Sequence, residues 1–224
     1  MVEPVHVIIT TYRRTDLAIK TILGIKENFH WPNLLWTITD DGSEEEDIQL
    51  LINTISPQPV FNVFRNHHKG TGHNMNVALQ DVWRAGGNLT LMMEDDWVIE
   101  KPMDVDPYVR VLLDHPEYGM IRFGYISPGI SGVLIKVEGR LYWRLEKNQD
   151  QYRYVGHPSL RNKAFYNAYG KYAEGLTPGA TELHMCGIVN SIDGPKILIP
   201  ADGGWYGFFA HIGASSLADI QPES

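Results

Sequence analysis

The chain has 224 residues, enough for one substantial hydrophobic core, and its 43% hydrophobic and 21% charged residues are ordinary for a soluble globular protein. Its formal net charge of -8 at pH 7 argues against a general nucleic-acid coat protein. No apolar run approaches the roughly 20 residues of a membrane span, and the N-terminus does not resemble a signal peptide. The single cysteine, Cys186, excludes an internal disulfide, so we expect a soluble, cytoplasmic protein.

Apolar runs alternate with helical patterns through the first half of the chain. Strands are predicted at 6–10, 34–39, 60–64 and 89–93, and helices at 16–28, 44–55 and 73–84. Thr15 is a candidate cap for the first helix. Such alternation predicts an α/β fold, a Rossmann-like domain whose mostly parallel central sheet is flanked by helices.

The second half has a less regular pattern. Helices are predicted at 106–113, 159–169 and 181–191, and strands at 119–123, 132–136, 140–145 and 197–199. The Gly-rich tail, residues 200–224, is expected to form a loop that closes over a site. The sequence contains neither an internal repeat nor a clear linker, and we therefore expect a single domain.

Polar clusters follow each of the four strands predicted in the first half, at 10–14, 40–43, 65–74 and 94–96. In open parallel sheets the carboxyl ends of the strands meet at one edge, and ligands bind there. The four clusters are therefore expected to form one site.

Three consecutive carboxylates, Glu94, Asp95 and Asp96, follow the last of these strands. Adjacent acids repel one another, and burying them unpaired is costly, so a cation is expected among them. Carboxylate oxygens suit Mg²⁺ or Mn²⁺, which commonly bind through one or two carboxylates together with substrate phosphates. Strand alternation would place Glu94 and Asp96 on one face and Asp95 on the other. The alternative interpretation is an acidic turn or helix cap.

The other clusters offer groups for an anionic ligand. Asp-Gly at positions 41 and 42 is a strong turn signal, and at a strand end it is also a plausible site for a base and a ribose. Residues 65–70 bring cationic and hydrogen-bonding groups to the same edge. His73 and Asn74, at the start of a predicted helix, offer donors and a helix dipole to an anion.

The order of these motifs resembles that of family 2 glycosyltransferases of the GT-A type. Thr-Thr-Tyr-Arg-Arg, Asp-Asp-Gly-Ser, Arg-Asn…Lys-Gly-x-Gly-His-Asn and Glu-Asp-Asp each follow a predicted strand, and the likeness is clear over residues 5–100. Those enzymes transfer a sugar from a nucleotide-diphosphate donor, usually UDP-linked, to an acceptor. The resemblance implies one GT-A-like domain, in which residues 1–100 bind the nucleotide sugar and 101–224 bind the acceptor and supply the closing segment.

The resemblance also implies roles for individual residues. Contacts with the donor are implied for Thr10, Thr11, Tyr12, Asp41, Lys69, His73, Asn74 and Asp95. Ligation of Mn²⁺ or Mg²⁺ is implied for Asp96, His211 and Glu94, where Glu94 replaces the first Asp of the D-x-D motif.

Sugar transfer with inversion needs a base that takes the acceptor proton. Glu182 is the first candidate, because a helix capped by Thr181 would place it in the first turn, and Glu174 is the reserve. Glu182 could instead only complement the helix dipole, and a retaining enzyme would need no such base. The stereochemistry therefore stays open.

A positively charged segment suggests an anionic acceptor. Residues 136–171 contain eight basic and three acidic side chains, a net of +5, interleaved with aromatic residues. Aromatic rings stack on sugars or bases and cations meet phosphates, so DNA with a flipped hydroxymethylated base is one possible acceptor. A solvated face is the alternative, and protein, lipid-linked and glycan acceptors stay open.

The sequence thus favours a metal-dependent glycosyltransferase of the hexosyltransferase type with a UDP-sugar donor. A sugar-phosphate nucleotidyltransferase is a weaker alternative, because no Gly-rich loop follows the first strand. A non-catalytic nucleotide-sugar-binding module is the other alternative, and the acidic motif argues against it.

Overall fold

A nine-stranded sheet forms the centre of the computed structural model, which describes residues 2–124, 131–147, 152–204 and 207–213. The strands are β1 (Val5–Thr11), β2 (Phe29–His30), β3 (Leu34–Asp40), β4 (Val60–Arg65), β5 (Leu89–Glu94), β6 (Trp97–Ile99), β7 (Met103–Asp104), β8 (Tyr118–Arg122), β9 (Gly132–Val137), β10 (Arg140–Leu145), β11 (Ser159–Asn162), β12 (Lys196–Pro200) and β13 (Phe209–His211). The helices are α1 (Thr15–Asn28), α2 (Glu45–Ile55), α3 (Thr71–Arg84), α4 (Asp106–Asp114), α5 (Lys163–Tyr169) and α6 (Pro178–Ser191), with a 3-10 turn at Ala201–Gly203.

The order of strands in the large sheet is β4-β3-β1-β5-β11-β8-β12-β10-β9. The first four are parallel, and β11 is inserted antiparallel between β5 and β8. Strand β12 is parallel to β8, while β10 is antiparallel to both of its neighbours. All strands of this sheet except β10 and β11 therefore run in one direction. The predicted α/β fold with a mostly parallel central sheet is confirmed.

Helices cover both faces of the sheet, which explains the continuous apolar runs of its strands. Along β1, Val7 and Ile9 face the cluster that contains α1, whereas Ile8 faces the cluster that contains α3. All seven residues of β1 are buried. Because helices cover both faces, the loops at the ends of the strands are where polar groups can reach a ligand.

The helix predicted over 159–169 is wrong in its first four residues. Residues Ser159–Asn162 form β11, which pairs with β5 on one side and β8 on the other. Arg161 is fully buried there, and its guanidinium lies 5.1 Å from the centre of the Tyr154 ring. Pairing with β5 and β8 overrides the local helical preference of these residues. The sequence does not reveal this strand, because it is short and contains a buried arginine instead of an alternating apolar pattern.

Two predicted helix caps are also wrong. Thr15 is the first residue of α1, and Arg14 precedes it without a side-chain cap. Helix α6 starts at Pro178, and the Thr177 side chain accepts a hydrogen bond from Ala180 N at 3.3 Å. Proline is favoured in the first turn because it lacks the N–H that would be unpaired. Glu182 consequently lies in the second turn of α6.

The tail predicted as a loop contains ordered structure where it is described. After the 3-10 turn, β13 pairs antiparallel with β6, so residues 209–211 form a strand. Residues 205–206 and 214–224 lie outside the described residues. Among the helices that the structure describes, none is long and apolar enough to cross a lipid bilayer.

Asn162 is expected to be important for stability because it joins three elements. Its Oδ1 accepts from Phe165 N at 3.2 Å, while Nδ2 donates to Leu112 O at 2.9 Å and Tyr118 O at 3.0 Å. Asn162→Ala should lower the free energy of unfolding by about 2–4 kcal/mol, because a cap is lost and two buried carbonyls lose a donor. Urea unfolding measures the change. The exposed Asn53→Ala should change it by less than about 0.5 kcal/mol, and equal losses would contradict the assignment.

Candidate active site

The ends of β1, β3 and β5 lie side by side at one edge of the sheet. In the strand register Thr10 is opposite Glu94, and Thr11 is opposite Asp40. The polar clusters that follow these strands therefore meet at one edge, as the sequence predicts.

Asp95 and Asp96 form a buried acidic pair that is bridged by one arginine. Their side chains are 4% and 5% exposed. Arg14 Nη1 lies 3.2 Å from Asp95 Oδ1, and Nη2 lies 2.6 Å from Asp96 Oδ2. Thr11 Oγ1 donates to Asp95 Oδ2 at 2.7 Å, and Thr21 Oγ1 donates to the Asp95 carbonyl at 2.8 Å. Residues of both β1 and α1 therefore hold Asp95 in position.

Burial and the contacts with Thr11 and Arg14 have opposite effects on the pKa of Asp95. Burial raises the pKa of Asp95 to about 6, and the hydrogen bond from Thr11 and the charge of Arg14 oppose that shift. Arg14 was not among the predicted site residues. The only signal for it in the sequence is a basic pair after the first strand, and its partners lie more than 80 positions further along the chain.

The closing segment, residues 207–213, lies directly on Asp96. His211 Nε2 lies 3.1 Å from Asp96 Oδ2, and Ile212 N donates to the Asp96 carbonyl at 2.8 Å. A Cβ on Gly213 would collide with the Asp96 carboxylate. The His211 ring also packs against Trp97 at 4.9 Å between centroids. The structure therefore brings together Asp96 and His211, although they are 115 positions apart.

One oxygen of this arrangement has no partner. Asp96 Oδ1 is buried and accepts no hydrogen bond from any residue within the described ranges. Those ranges also contain no group of three or more His, Cys, Asp or Glu side chains placed to hold a metal ion. Asp96 and His211 are two groups of the ligand types that divalent cations use, and the unpartnered Oδ1 is available to such an ion.

Glu94 is the last residue of β5, and the charges of Asp96 and Asp95 both act on its carboxylate. Strand β5 ends at Glu94, and Asp95 and Asp96 lie in the turn before β6, where strand alternation does not continue. Glu94 also lines a cavity together with Glu182. Burial raises the pKa of Glu94 to about 8, and the charges of Asp96, Asp95 and Glu182 add to the shift.

The cavity has a volume of about 170 Å³ and lies between the end of β5, the start of α3, the start of α6 and residues 154–156. Glu182 Oε2 accepts a hydrogen bond from Gly156 N at 2.8 Å, which orients the carboxylate in the cavity wall. Glu182 is thus the candidate base that the structure places beside an open space.

Glu174, the reserve candidate, is less suited to proton transfer. It accepts from Asn76 Nδ2 at 2.8 Å and contacts His73 Nδ1 at 2.9 Å. These hydrogen bonds from Asn76 and His73 lower the pKa of Glu174. A carboxylate stabilised in its charged form is a weaker base.

The loops after β1, β3 and β4 are tied to one another. Asp41 Oδ1 accepts from Lys69 N at 2.8 Å, and both Asp41 oxygens lie within 3.2 Å of Gly70 N. The partly exposed Tyr12 ring meets His68 edge-on, 5.2 Å between centroids. Asp41 thus positions the loop that carries Lys69, and the exposed Tyr12 ring packs against His68 of the same loop.

Three other predicted donor residues have different surroundings. Thr10 is buried within β1, and Asn74 is buried with its Oδ1 bound to Asn66 Nδ2 at 2.6 Å. His73 is paired with Glu174, and Gly72 lies against the Ala173 carbonyl so closely that a Cβ would not fit. The start of α3 is therefore partly covered by the segment around residue 173.

Part of the positively charged segment lies in the core and part is exposed, and the anionic acceptor stays a prediction. Arg153 and Arg161 are buried, and Arg140 and Arg144 each pair with an acidic residue. The buried core also contains most of the interleaved aromatic residues, namely Tyr142, Tyr154, Tyr166, Tyr169 and Tyr172. Lys136, Lys147 and Lys171 are exposed, so some of the positive charge lies on the surface.

Several solved structures to which this fold is similar are glycosyltransferases. S. aureus TarS in complex with UDP-GlcNAc matches with a TM-score of 0.67 and 15% identity over 96% of this chain and 59% of that one. A longer S. aureus TarS structure gives a TM-score of 0.62 at 15% identity, over 94% of this chain and 37% of that one. The mannosyltransferase PcManGT from Pyrobaculum calidifontis, in complex with GDP-Man and Mn²⁺, gives 0.55 at 17% identity, over 90% and 58%.

The chain spans 37–59% of the length of these structures. Its sequence matches no protein-family model and no curated protein. At this level of identity the likeness establishes the fold, and the domain has the GT-A-like fold of glycosyltransferases.

Proposed function

We propose that the chain is a metal-dependent glycosyltransferase that moves a sugar from a nucleotide-diphosphate donor, a UDP-sugar, to a hydroxyl acceptor. The main observation behind the proposal is the contact between Asp96 and His211 at the ends of the parallel strands. Next to it lies a cavity that is lined by Glu182. This combination offers a place for a diphosphate and a base within one GT-A-like domain.

Asp96 and His211 are the residues that would hold a divalent cation, Mn²⁺ or Mg²⁺. A divalent cation bound there supplies Lewis-acid neutralisation of a diphosphate leaving group. Glu94, the third ligand that the resemblance implies, lies at the end of β5 next to this pair and also lines the cavity. Arg14 can offset further negative charge, since its guanidinium already bridges the acidic pair and its side chain is 40% exposed.

Residues 1–100 are proposed to bind the donor. The exposed rings of Tyr12 and His68 are proposed to contact the base, and Asp41 fixes the neighbouring loop through Lys69 N and Gly70 N. Thr11 holds Asp95 in place for contact with the ribose or the sugar. The complexes of the TarS and PcManGT structures with UDP-GlcNAc, UDP and GDP-Man support a nucleotide-sugar donor.

Glu182 is proposed as the base, which makes the transfer inverting. Its carboxylate is oriented by Gly156 N and stands at the cavity that adjoins the acidic motif. In the transfer, the acceptor oxygen attacks the anomeric carbon, its proton passes to Glu182, and the bond from that carbon to the diphosphate breaks. The second half of the chain thus supplies the acceptor side of the site.

Calorimetry of UDP binding tests the donor and metal parts of the proposal. With Mn²⁺ present, we expect UDP to bind at least about tenfold more tightly than in EDTA, because the cation neutralises negative charge on the diphosphate. Uridine, which lacks the diphosphate, should bind equally in both conditions. An affinity for UDP that does not respond to Mn²⁺ would contradict metal dependence, and no UDP binding in either condition would contradict the donor assignment.

A further inference from the structure

The Trp97 ring contacts two histidine rings at the edge of the candidate site. Trp97 follows Asp96 directly, begins β6 and is 4% exposed. Its ring centroid lies 4.9 Å from that of His211 and 4.8 Å from that of His157. His211 is one of the two groups proposed to hold the cation, whereas His157 follows Gly156 in the cavity wall. One buried ring therefore connects the metal side of the site with the wall of the cavity.

The backbone places Trp97 and His211 opposite each other. Strands β6 and β13 pair antiparallel, and in their register His211 is opposite Trp97. Ile212 N donates to the Asp96 carbonyl at 2.8 Å, so the residue after β13 is tied to the residue before β6. Side chains of directly opposite residues lie on the same face of a strand pair and contact each other. The contact between the two rings is thus a consequence of the strand pairing.

The His211 ring is partly open to solvent, so its orientation depends on its neighbours. Its side chain is 34% exposed and belongs to a strand of three residues. An exposed side chain keeps rotamer freedom that is lost when it binds a ligand. The ring of a buried tryptophan is a rigid neighbour that limits this freedom. Beside Trp97, the Nε2 atom of His211 lies 3.1 Å from Asp96 Oδ2.

His157 holds the Trp97 ring from the cavity side. His157 is 8% exposed, and a Cβ on Gly124 would lie 2.6 Å from its Nδ1 atom. The next residue, Pro158, accepts a hydrogen bond from Phe123 N at 2.9 Å. The backbone around residues 123–124 therefore packs closely against His157. Because His157 in turn contacts Trp97, the indole is fixed by residues outside its own strand.

We propose that Trp97 is a positioning residue, which keeps the His211 imidazole directed at the divalent cation, and that His157 supports it in this role. The inference rests on the proposed function, because it concerns the residues that would hold the cation of that reaction. Partners that orient a metal-ligating histidine typically change metal affinity by about 10–100-fold when they are removed. The geometry of a site is precise when packing locks the rotamers of its residues.

Trp97 also belongs to the main hydrophobic core, and a role in stability alone is the competing explanation. Loss of a buried ring lowers the free energy of unfolding wherever the ring lies. A positioning role differs in one respect, because it changes how His211 binds the cation in protein that remains folded. The test must therefore report on the histidine nitrogen itself.

Electron paramagnetic resonance of Mn²⁺ in the presence of UDP provides that readout. In the wild type we expect the echo-modulation spectrum to show coupling between Mn²⁺ and the imidazole nitrogen of His211, and His211→Ala should remove it. Trp97→Leu should reduce this coupling and weaken Mn²⁺ binding by about tenfold or more. Trp97→Phe, which keeps an aromatic ring, should retain the coupling and lose less than about threefold in affinity.

Three further variants separate positioning from stability. Ile99→Ala removes fully buried side-chain atoms from the same strand, so it should lower the thermal stability in EDTA yet keep the nitrogen coupling and the Mn²⁺ affinity. Trp143→Leu changes a tryptophan that is 38% exposed on β10 and should alter neither. His157→Leu should weaken Mn²⁺ binding by about three- to tenfold, because Trp97 loses its support. Circular dichroism confirms that each variant is folded at the temperature of the measurement.

Two outcomes would overturn the inference alone. One is wild-type nitrogen coupling and Mn²⁺ affinity in folded Trp97→Leu, and the other is an equal loss of both in Ile99→Ala, which would assign the effect to general packing. Failure of the proposed function looks different, because wild-type protein would then bind no Mn²⁺ with UDP or would show no nitrogen coupling. In that case His211 would not hold the cation, and the role of Trp97 would be lost with it.

Discussion

Asp96→Asn loses the Mn²⁺-dependent part of UDP binding and lowers sugar transfer by about 10³-fold or more. The asparagine removes one negative charge from the group that contacts both Arg14 and His211. Amide oxygens bind hard divalent cations less strongly than carboxylates do, and enzymes of this kind commonly gain most of their rate enhancement by neutralising the negative charge that develops during the reaction. Aspartate and asparagine have nearly the same size and shape, so the effect of the substitution reports on charge and not on packing.

The measurements for this variant are calorimetry of UDP with Mn²⁺ and a donor-turnover assay. Asp114→Asn is the matched control, since Asp114 is exposed at the end of α4 and distant in sequence from the motif. It should keep both UDP affinity and turnover. If Asp96→Asn turned over donor at the wild-type rate, Asp96 would not belong to the reacting site, and the metal assignment would be lost with it.

The first half of the fold could be predicted from sequence because burial on both faces leaves an unambiguous pattern. Strands β1, β3 and β5 are continuous apolar runs that end at polar residues, and their observed bounds differ from the predicted ones by no more than one residue at each end. Strand β11 could not be predicted, since its pairing with β5 and β8 depends on residues far away in the chain. The propensities of individual residues contain no information about pairing with distant strands.

The candidate site could likewise be predicted only in part from the sequence. The resemblance to GT-A glycosyltransferases implied that Asp96 and His211 belong to one site, and the structure places them in contact. Strand alternation does not govern the positions of Glu94 and Asp96, because β5 ends at Glu94 and the next two residues form a turn. Charge counts along the sequence do not show which cations are exposed, because Arg161 within the positively charged segment is a core residue.

Glu182→Gln should lower sugar transfer by about 10²–10⁴-fold while UDP binding with Mn²⁺ is unchanged. The glutamine can still accept the hydrogen bond from Gly156 N, which is 2.8 Å from Oε2 in the wild type, so the cavity wall keeps its shape. What it cannot do is take a proton at neutral pH. The loss should therefore appear in the rate of transfer and not in the affinity for the donor.

Two companion variants decide between the remaining mechanisms. The exposed Glu46→Gln should transfer sugar at the wild-type rate, and Glu174→Gln should retain most of it, because the Asn76 and His73 contacts lower the pKa of Glu174. Full activity in Glu182→Gln together with loss in Glu174→Gln would move the base to Glu174. Full activity in both would remove the need for a carboxylate base from these helices, and a product whose anomeric configuration matches that of the donor would then establish a retaining enzyme.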